Sequence, residues 1–306
     1  MSNNYKDIKC AVVGSINMDI ILKAQRIPEL GENVTGTDYE YAFGGKGANQ
    51  ATALARLGAS VKMIGKVGAD DNGKALVNNL KNNGINTDGV ATDGSQTGLA
   101  AILLDGEGRN RIIVYEGANA EINPEEAKKS ISSDTDLLMI QFETNEDSVI
   151  ECVSHAIKNN VTTVIDCGPA KNFNLELMKG ATILSPNESE TEALTGIFPA
   201  DEETILSAAK RLKERSEAKY VVLKLGERGC ALYDGELLKS FPPLKTTVID
   251  TTAAGDCFTA ALALHYVKTG DIEDACRMGN RAGAYAVSKM GAQSSMPTYD
   301  DLTLTT

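Results

Sequence analysis

The 306-residue chain is 42% hydrophobic and 24% charged, the balance of an ordinary globular protein and not of a disordered or fibrous one. Its formal net charge is −12, and no run of lysine or arginine offers the basic face that a nucleic acid needs. No stretch reaches the roughly 18 consecutive apolar residues of a membrane span.

The opening MSNNYKDIKCAVVGSINMDI lacks the basic start and long apolar stretch of an export signal, so a cytoplasmic protein is expected. Ile8–Ile16 is a continuous apolar run, which suits a strand buried on both faces. GSINMD at 14–19 then puts Asn17 and Asp19 just past the end of that strand, where ligands of open α/β sheets bind. Their side chains offer donors and acceptors for vicinal hydroxyls; a turn built from Asn and Asp explains them equally well. Asp19–Gly44 holds no convincing helix and reads as short extended pieces around Pro28 and Gly31. In FGGKGANQATALARLG at 43–58, Gly44, Gly45 and Gly47 permit a ligand to approach the backbone. Asn49 opens a helix over Ala48–Leu57, and Gly58 stops it. The glycine spacing is neither that of a phosphate loop nor that of a dinucleotide fingerprint. Ser60–Val67 returns as a strand and Asn72–Asn83 as a helix closed by Gly84. Thr97–Gly117 reads as a hairpin, with TGLAAILL and RIIVYEG flanking a turn at Asp105–Gly108.

The second half keeps the alternation. Asp136–Phe142 and Val161–Cys167 read as buried strands, with Val149, Ile150, Val153 and Ile157 at helical spacing between them. Ala181–Leu184, Tyr220–Leu225 and Thr247–Ile249 are further strand candidates. Ile205–Arg215, Phe258–Lys268 and Ile272–Lys289 are helix candidates. The fold class is therefore α/β, a mostly parallel sheet flanked by helices. The two strand-only inserts, about 17–44 and 97–117, would pair into a small separate sheet whose open face covers a ligand or meets another chain.

IDTTAAGDCF at 249–258 carries the most chemistry. A strand is expected to end at Asp250 and a helix to begin near Gly255. Ala253, Ala254 and Gly255 would leave backbone N–H groups unobstructed at the helix N-terminus, where an anion is stabilised. Asp256 follows in the first turn, although helix capping alone also accounts for it. The six cysteines form no CxxC pair and read as small core residues of a reducing compartment. His155 and His265 fall in apolar helical patterns and read as ordinary helix residues. The N-x-S/T triplets headed by Asn33, Asn160 and Asn187 carry no meaning without secretion.

GGKGANQA at 44–51 with Gly58 and Gly68, and DTTAAGD at 250–256, resemble the two signatures of the ribokinase-like carbohydrate kinases. PELGE at 28–32, SPNESE at 185–190 and GAQSSMP at 291–297 resemble that family too, so the likeness runs from about Cys10 to Pro297. The resemblance implies one kinase domain over 1–306 with a β-sheet lid made by the two inserts, and transfer of phosphate from ATP to the primary hydroxyl of a pentose, D-ribose. It implies that Asn17, Asp19, Gly45, Lys46, Asn49 and Glu143 hold the sugar and that Asp256 is the catalytic base. Asn187, Lys224, Gly226, Ala254, Gly255 and Asn280 are implied at the nucleotide, and Glu190 at Mg²⁺ through water. A K⁺ ion would take the side chains of Asp250 and Ser295 and the carbonyls of Thr252, Ala286, Lys289 and Gly291. Lys224 departs from the pattern, since many members carry Thr there. A homodimer joined through the lids is also implied. The rival expectations are a kinase for another sugar or a nucleoside, a non-catalytic sensor on the same fold, and a nicotinamide dehydrogenase.

Overall fold

The computed structural model describes residues 5–303. The chain runs β1 (Lys9–Val13), β2 (Asn17–Lys23), β3 (Asp38–Gly44), α1 (Lys46–Leu57), β4 (Ser60–Val67), α2 (Asp71–Asn82), β5 (Asn86–Thr92), β6 (Gly98–Leu104) and β7 (Asn110–Tyr115). It continues with α3 (Pro124–Ser130), β8 (Leu137–Gln141), α4 (Glu146–Lys158), β9 (Thr162–Asp166), β10 (Ile183–Ser185), α5 (Glu188–Thr195) and α6 (Glu202–Ser216). Then come β11 (Tyr220–Lys224), β12 (Cys230–Tyr233), β13 (Leu238–Phe241), α7 (Ala254–Thr269) and α8 (Ile272–Val287).

Among the described residues the large sheet has nine strands in the order β13-β12-β11-β10-β9-β8-β1-β4-β5. It is parallel apart from the antiparallel edge formed by β12 and β13. Successive residues of a strand face opposite sides, so a strand buried on both faces feeds two cores. Cys10 and Val12 accordingly pack with α1, α7 and α8, while Ala11 and Val13 pack with α3, α4 and α6. The helix α7 is buried along most of its length, which explains its lack of a polar face.

β1 lies between β4 and β8. The chain winds from β1 toward one edge, then returns to β8 and winds toward the other. The carboxyl ends of β1 and β8 therefore flank a topological switch point, where an open α/β sheet leaves a crevice. The two inserts form the second sheet, of four strands in the order β3-β2-β6-β7. Asp19, on β2, is paired with Ala42 on β3 and Ala100 on β6, which suspends this small sheet beside the crevice.

Several expected boundaries move. The first strand stops at Val13, because Gly14–Ile16 carry the chain from one sheet into the other. The helix expected to open at Asn49 begins at Lys46, behind Gly45. Thr247–Ile249 is not a strand: Val248 and Ile249 are exposed, and Ile249 N–H donates to the Val287 carbonyl at 2.7 Å. The segment pairs with no strand of the sheet, which ends at β13 on that side; its backbone closes the end of α8 instead.

Candidate active site

Gly45 shapes the sugar side of the crevice. Its φ is +89°, and a Cβ there would stand 2.7 Å from Asn17 N and from the Ser15 carbonyl, so only glycine lets the turn before α1 lie against the end of β1. The turn delivers Lys46, Asn49 and Gln50 from the first turns of α1. Glu143, just past β8, accepts from Lys46 N–H at 3.0 Å and from the Ser15 hydroxyl. Asp19 lies over Gly44, where a Cβ would come within 2.2 Å of Oδ2. Burial pushes the Asp19 carboxyl up to about 7, with Glu143 and Asp256 adding to the rise. Asn17 accepts from Asn119 Nδ2 at 2.7 Å, and Asn119 Oδ1 accepts in turn from Ile16 N–H. That pairing leaves the Asn17 amide donor facing away from Asn119.

Asp256 stands in the first turn of α7 and is 5% exposed. Its Oδ2 accepts from Asn49 Nδ2 at 3.0 Å, its Oδ1 accepts from Gln50 Nε2 at 3.2 Å, and the Lys46 ammonium is 3.9 Å from Oδ1. Burial pushes its carboxyl up to about 6; Lys46 opposes the rise and Asp166 reinforces it. Lys46 is held cationic: burial draws its pKa down, but Asp256, Asp166, Glu190 and Glu143 together raise it.

The N-terminus of α7 is open. Ala253 precedes it at φ +57°, and no side chain caps it. Ala254 N–H turns to the Thr251 carbonyl at 3.3 Å, and the first helical bond runs from Cys257 N–H to Ala253. Among the described residues no acceptor takes the N–H of Gly255 or Asp256. These two amides, the helix dipole and the Lys224 ammonium, 3.8 Å from where a Cβ on Gly255 would stand, make an anion cradle. Asn187 and Glu190 form a capping box on α5, with Asn187 N–H donating to Glu190 at 2.7 Å. The other Glu190 oxygen lies 4.0 Å from the Lys46 ammonium. Asn280, on α8, donates to the Phe241 and Pro242 carbonyls at 3.0 Å each and so braces a wall of the cleft. Gly226 follows β11, with the Glu188 carboxylate nearby.

Asp250 accepts from Thr252 N–H at 2.9 Å and from Gly291 N–H at 2.8 Å, tying the loop before α7 to the segment after α8. Ser295 Oγ donates to the Ala292 carbonyl at 2.7 Å, and the Ala286 carbonyl accepts from Lys289 N–H at 3.1 Å. The carbonyls of Thr252, Lys289 and Gly291 accept nothing among the described residues.

The structure thus gathers Asn17, Asp19, Lys46, Asn49, Glu143 and Asp256 into one cleft, with Lys224, Glu190 and Asn187 along its continuation. Sequence reasoning missed Gln50, Asp166, Thr259 and Gln293. Asp166 had a readable signal, since it ends a buried strand as Asn17 follows one. Gln293 had none: it reaches Asn49 Oδ1 at 3.3 Å across 244 positions. The two histidines stay out of the cleft. His265 is buried between the Tyr5 hydroxyl at 2.8 Å and Asp274 at 2.7 Å, and all six cysteines are free and buried in the core.

A parallel sheet carrying a buried carboxylate beside an uncapped helix N-terminus, at its carboxyl edge, sets a proton acceptor next to an anion site, which suits group transfer to or from a phosphate. The chain belongs to the pfkB family of carbohydrate kinases, whose model matches residues 7–299. It is 37% identical to the ribokinase of Bacillus subtilis (strain 168) over 95% of this chain and 97% of the relative. It is 30% identical to the deoxyribokinase of Salmonella typhi over 95% of this chain and 96% of the relative. The solved structure of Arabidopsis thaliana ribokinase complexed with ribose and ATP superposes with a TM-score of 0.88 at 32% identity, covering 97% of this chain and 98% of that one.

Proposed function

We propose that the protein transfers the γ-phosphoryl group of ATP to the primary hydroxyl of D-ribose, giving D-ribose 5-phosphate and ADP. The observation that carries this is Asp256, a buried carboxylate in the first turn of α7, beside the cradle of free amides that its own N–H helps to form, and bonded to Asn49 with Asp19 close by. The sugar's primary oxygen attacks phosphorus along a line leading from Asp256 to the cradle. As the new P–O bond forms and the bond to ADP breaks, Asp256 accepts the hydroxyl proton. Its raised pKa makes it a better acceptor than an exposed aspartate. Little proton transfer is needed early in a loose transition state, so positioning and charge stabilisation dominate. The N–H groups of Gly255 and Asp256 face the charge that develops, as an oxyanion hole does. Ala254 contributes by fixing the loop, since its N–H is turned to Thr251.

Asn17, Asp19, Gly45, Lys46, Asn49 and Glu143 bind the sugar, and Asn187, Lys224, Gly226, Gly255 and Asn280 line the nucleotide cleft. The Glu190 oxygen that the capping box leaves unused would hold Mg²⁺ through water, and the ion would supply positive charge against the phosphates. The free carbonyls of Thr252, Lys289 and Gly291, with Ala286, Asp250 and Ser295 beside them, are the oxygen-rich set that suits K⁺. An ion there would stiffen the loop before Asp256. The small sheet acts as a lid over the sugar. Tyr39, Tyr41, Ile113 and Tyr115 are exposed on it, an apolar area that suits pairing with the lid of a second copy in a homodimer. Among the described residues no helix is long and apolar enough to cross a membrane, and the proposed site of action is the cytoplasm.

ADP release measured with D-ribose, 2-deoxyribose, fructose and adenosine tests the substrate. D-ribose is expected to give the highest kcat/KM; a higher value with any of the others overturns the assignment. The second reading, a deoxyribose kinase, draws on the Salmonella typhi relative and is decided by the same measurement.

A further inference from the structure

Asp166 is a fully buried carboxylate that the mechanism above leaves without a role. It ends β9 and faces the crevice. Its Oδ2 accepts from the Lys224 ammonium at 2.9 Å, the Thr259 hydroxyl at 3.0 Å and Gln50 Nε2 at 3.1 Å, and its Oδ1 accepts from Gly168 N–H at 3.3 Å. The Gln50 amide has only one workable orientation, because one side of it faces two carboxylates, which only accept; its Oε1 then accepts from Gln141 Nε2 at 2.6 Å. Its Nε2 must then donate to both Asp166 and Asp256. A single amide therefore links Asp166 to the base, and a single ammonium links it to the cradle.

Charge balance alone does not require this arrangement. A buried ion pair contributes little to stability compared with apolar residues of the same size, because both ions lose their water. Here the cation of the pair stands beside free amides in an anion site, and its partner is anchored by four donors. We infer that Asp166 is a positioning residue for phosphoryl transfer: it holds the Lys224 ammonium at the mouth of the cradle and, through Gln50, holds Asp256 in line with the attacked phosphorus. The inference rests on the kinase reading above and adds the residue that couples the base to the phosphate side of the site. The charged groups around Asp166, Lys224 and Asp256 are Lys46 from α1, Glu190 from α5 and, facing Asp256, Asp19 from β2. Removing the Asp166 charge takes an anion from the neighbourhood of Asp256, whose carboxyl that charge helps to raise.

The test compares wild type, Asp166→Asn and the double variant Asp166→Asn/Lys224→Met, each with whichever sugar the wild type turns over fastest. A wrong substrate assignment then shows in the wild-type measurements alone. For Asp166→Asn, kcat is expected to fall about 10- to 100-fold with the sugar KM within about threefold, in the range of general acid–base and positioning effects. The acid limb of its kcat profile is expected to move to lower pH. The double variant removes both charges together, and so remains readable if the single variant fails to fold. It is expected to stay as slow as Asp166→Asn. Recovery of wild-type kcat in the double variant would mean that Asp166 only neutralises a buried lysine, and would overturn the inference. So would an Asp166→Asn enzyme with kcat within twofold of wild type, or one slowed with its acid limb unmoved.

Discussion

Replacing Asp256 by asparagine separates chemistry from folding, and the two effects have opposite signs. Asparagine keeps the shape but cannot accept the sugar's proton. Turnover is expected to fall at least about 100-fold, in line with general-base contributions of 10²–10⁴, while the sugar Kd stays within about threefold. Stability moves the other way. Burial raises the Asp256 carboxyl from 3.8 in an open chain to about 6 in the folded protein. Between those values the folded state binds the extra proton, so stability falls as pH rises through the window and stays low above it. At 1.36 kcal/mol per unit, the ionised carboxylate destabilises the fold by on the order of 3 kcal/mol at pH 8. Asparagine removes that penalty. It also presents one N–H₂ to Asn49 and Gln50, both donors, and the mismatch costs about 1–3 kcal/mol. The net is a gain of about 1 kcal/mol at pH 8, or roughly 2 °C in Tm for a chain of this size. At pH 5 the wild type is already largely protonated at this site, so the advantage shrinks by about 1 kcal/mol. The assays are ADP release, ribose binding by calorimetry, and thermal melts at pH 5 and pH 8. Turnover within tenfold of wild type would remove Asp256 from the mechanism. A difference in Tm that grows toward pH 5 would refute the account of its buried charge.

Sugar capture carries its own pH dependence, because Asp19 titrates near 7. kcat/KM is expected to fall as pH drops from 8 to 6, first through Asp19 and then through Asp256; Asp19→Asn is expected to raise KM and abolish the limb near 7, and a flat wild-type profile from 6 to 8 would count against both assignments. For the cation, rates in KCl are expected to exceed those in NaCl, with Asp250→Ala losing the difference; equal wild-type rates in the two salts would remove the K⁺ site. Sedimentation at micromolar concentration is expected to show a dimer that Ile113→Lys splits, since the change places a charge on the exposed face of the small sheet. A wild-type monomer would refute pairing through the lids.

Much of the fold could be read locally. Ser60–Val67 is a strand with the bounds its sequence suggests, and Gly58 ends α1 at φ +104°. The hairpin at Asp105–Gly108 turns where its glycine and aspartate lie, with Gly108 N–H donating to the Asp105 carbonyl at 3.0 Å. These features depend on periodicity, β-branching and glycine, which act within a few residues. The short strands β12 and β13 escaped notice because four residues carry too little pattern. Thr247–Ile249 misled for the opposite reason: it has strand composition, but its backbone is bonded to the end of α8 and not to a strand.

At the site, local signals marked Asn17, Asp19 and Asp256, because the chemistry of a strand end or helix start shows in its own few residues, whereas Lys46 and Asn49 came from the family resemblance. The partners of those residues did not show. Gln50 meets Asp256 across 206 positions, and Asp166 meets Lys224 across 58. Their burial, their shifted proton affinities and the charge linkage between base and cradle arise only when β9, β11, α1 and α7 converge on the same crevice. By itself the sequence determined the alternation of strands and helices, the open anion-binding turn and the family. The tertiary structure decided which carboxylate is desolvated, which ammonium faces it and which amide joins them, because dielectric and distance are properties of the packed interior that no single segment possesses.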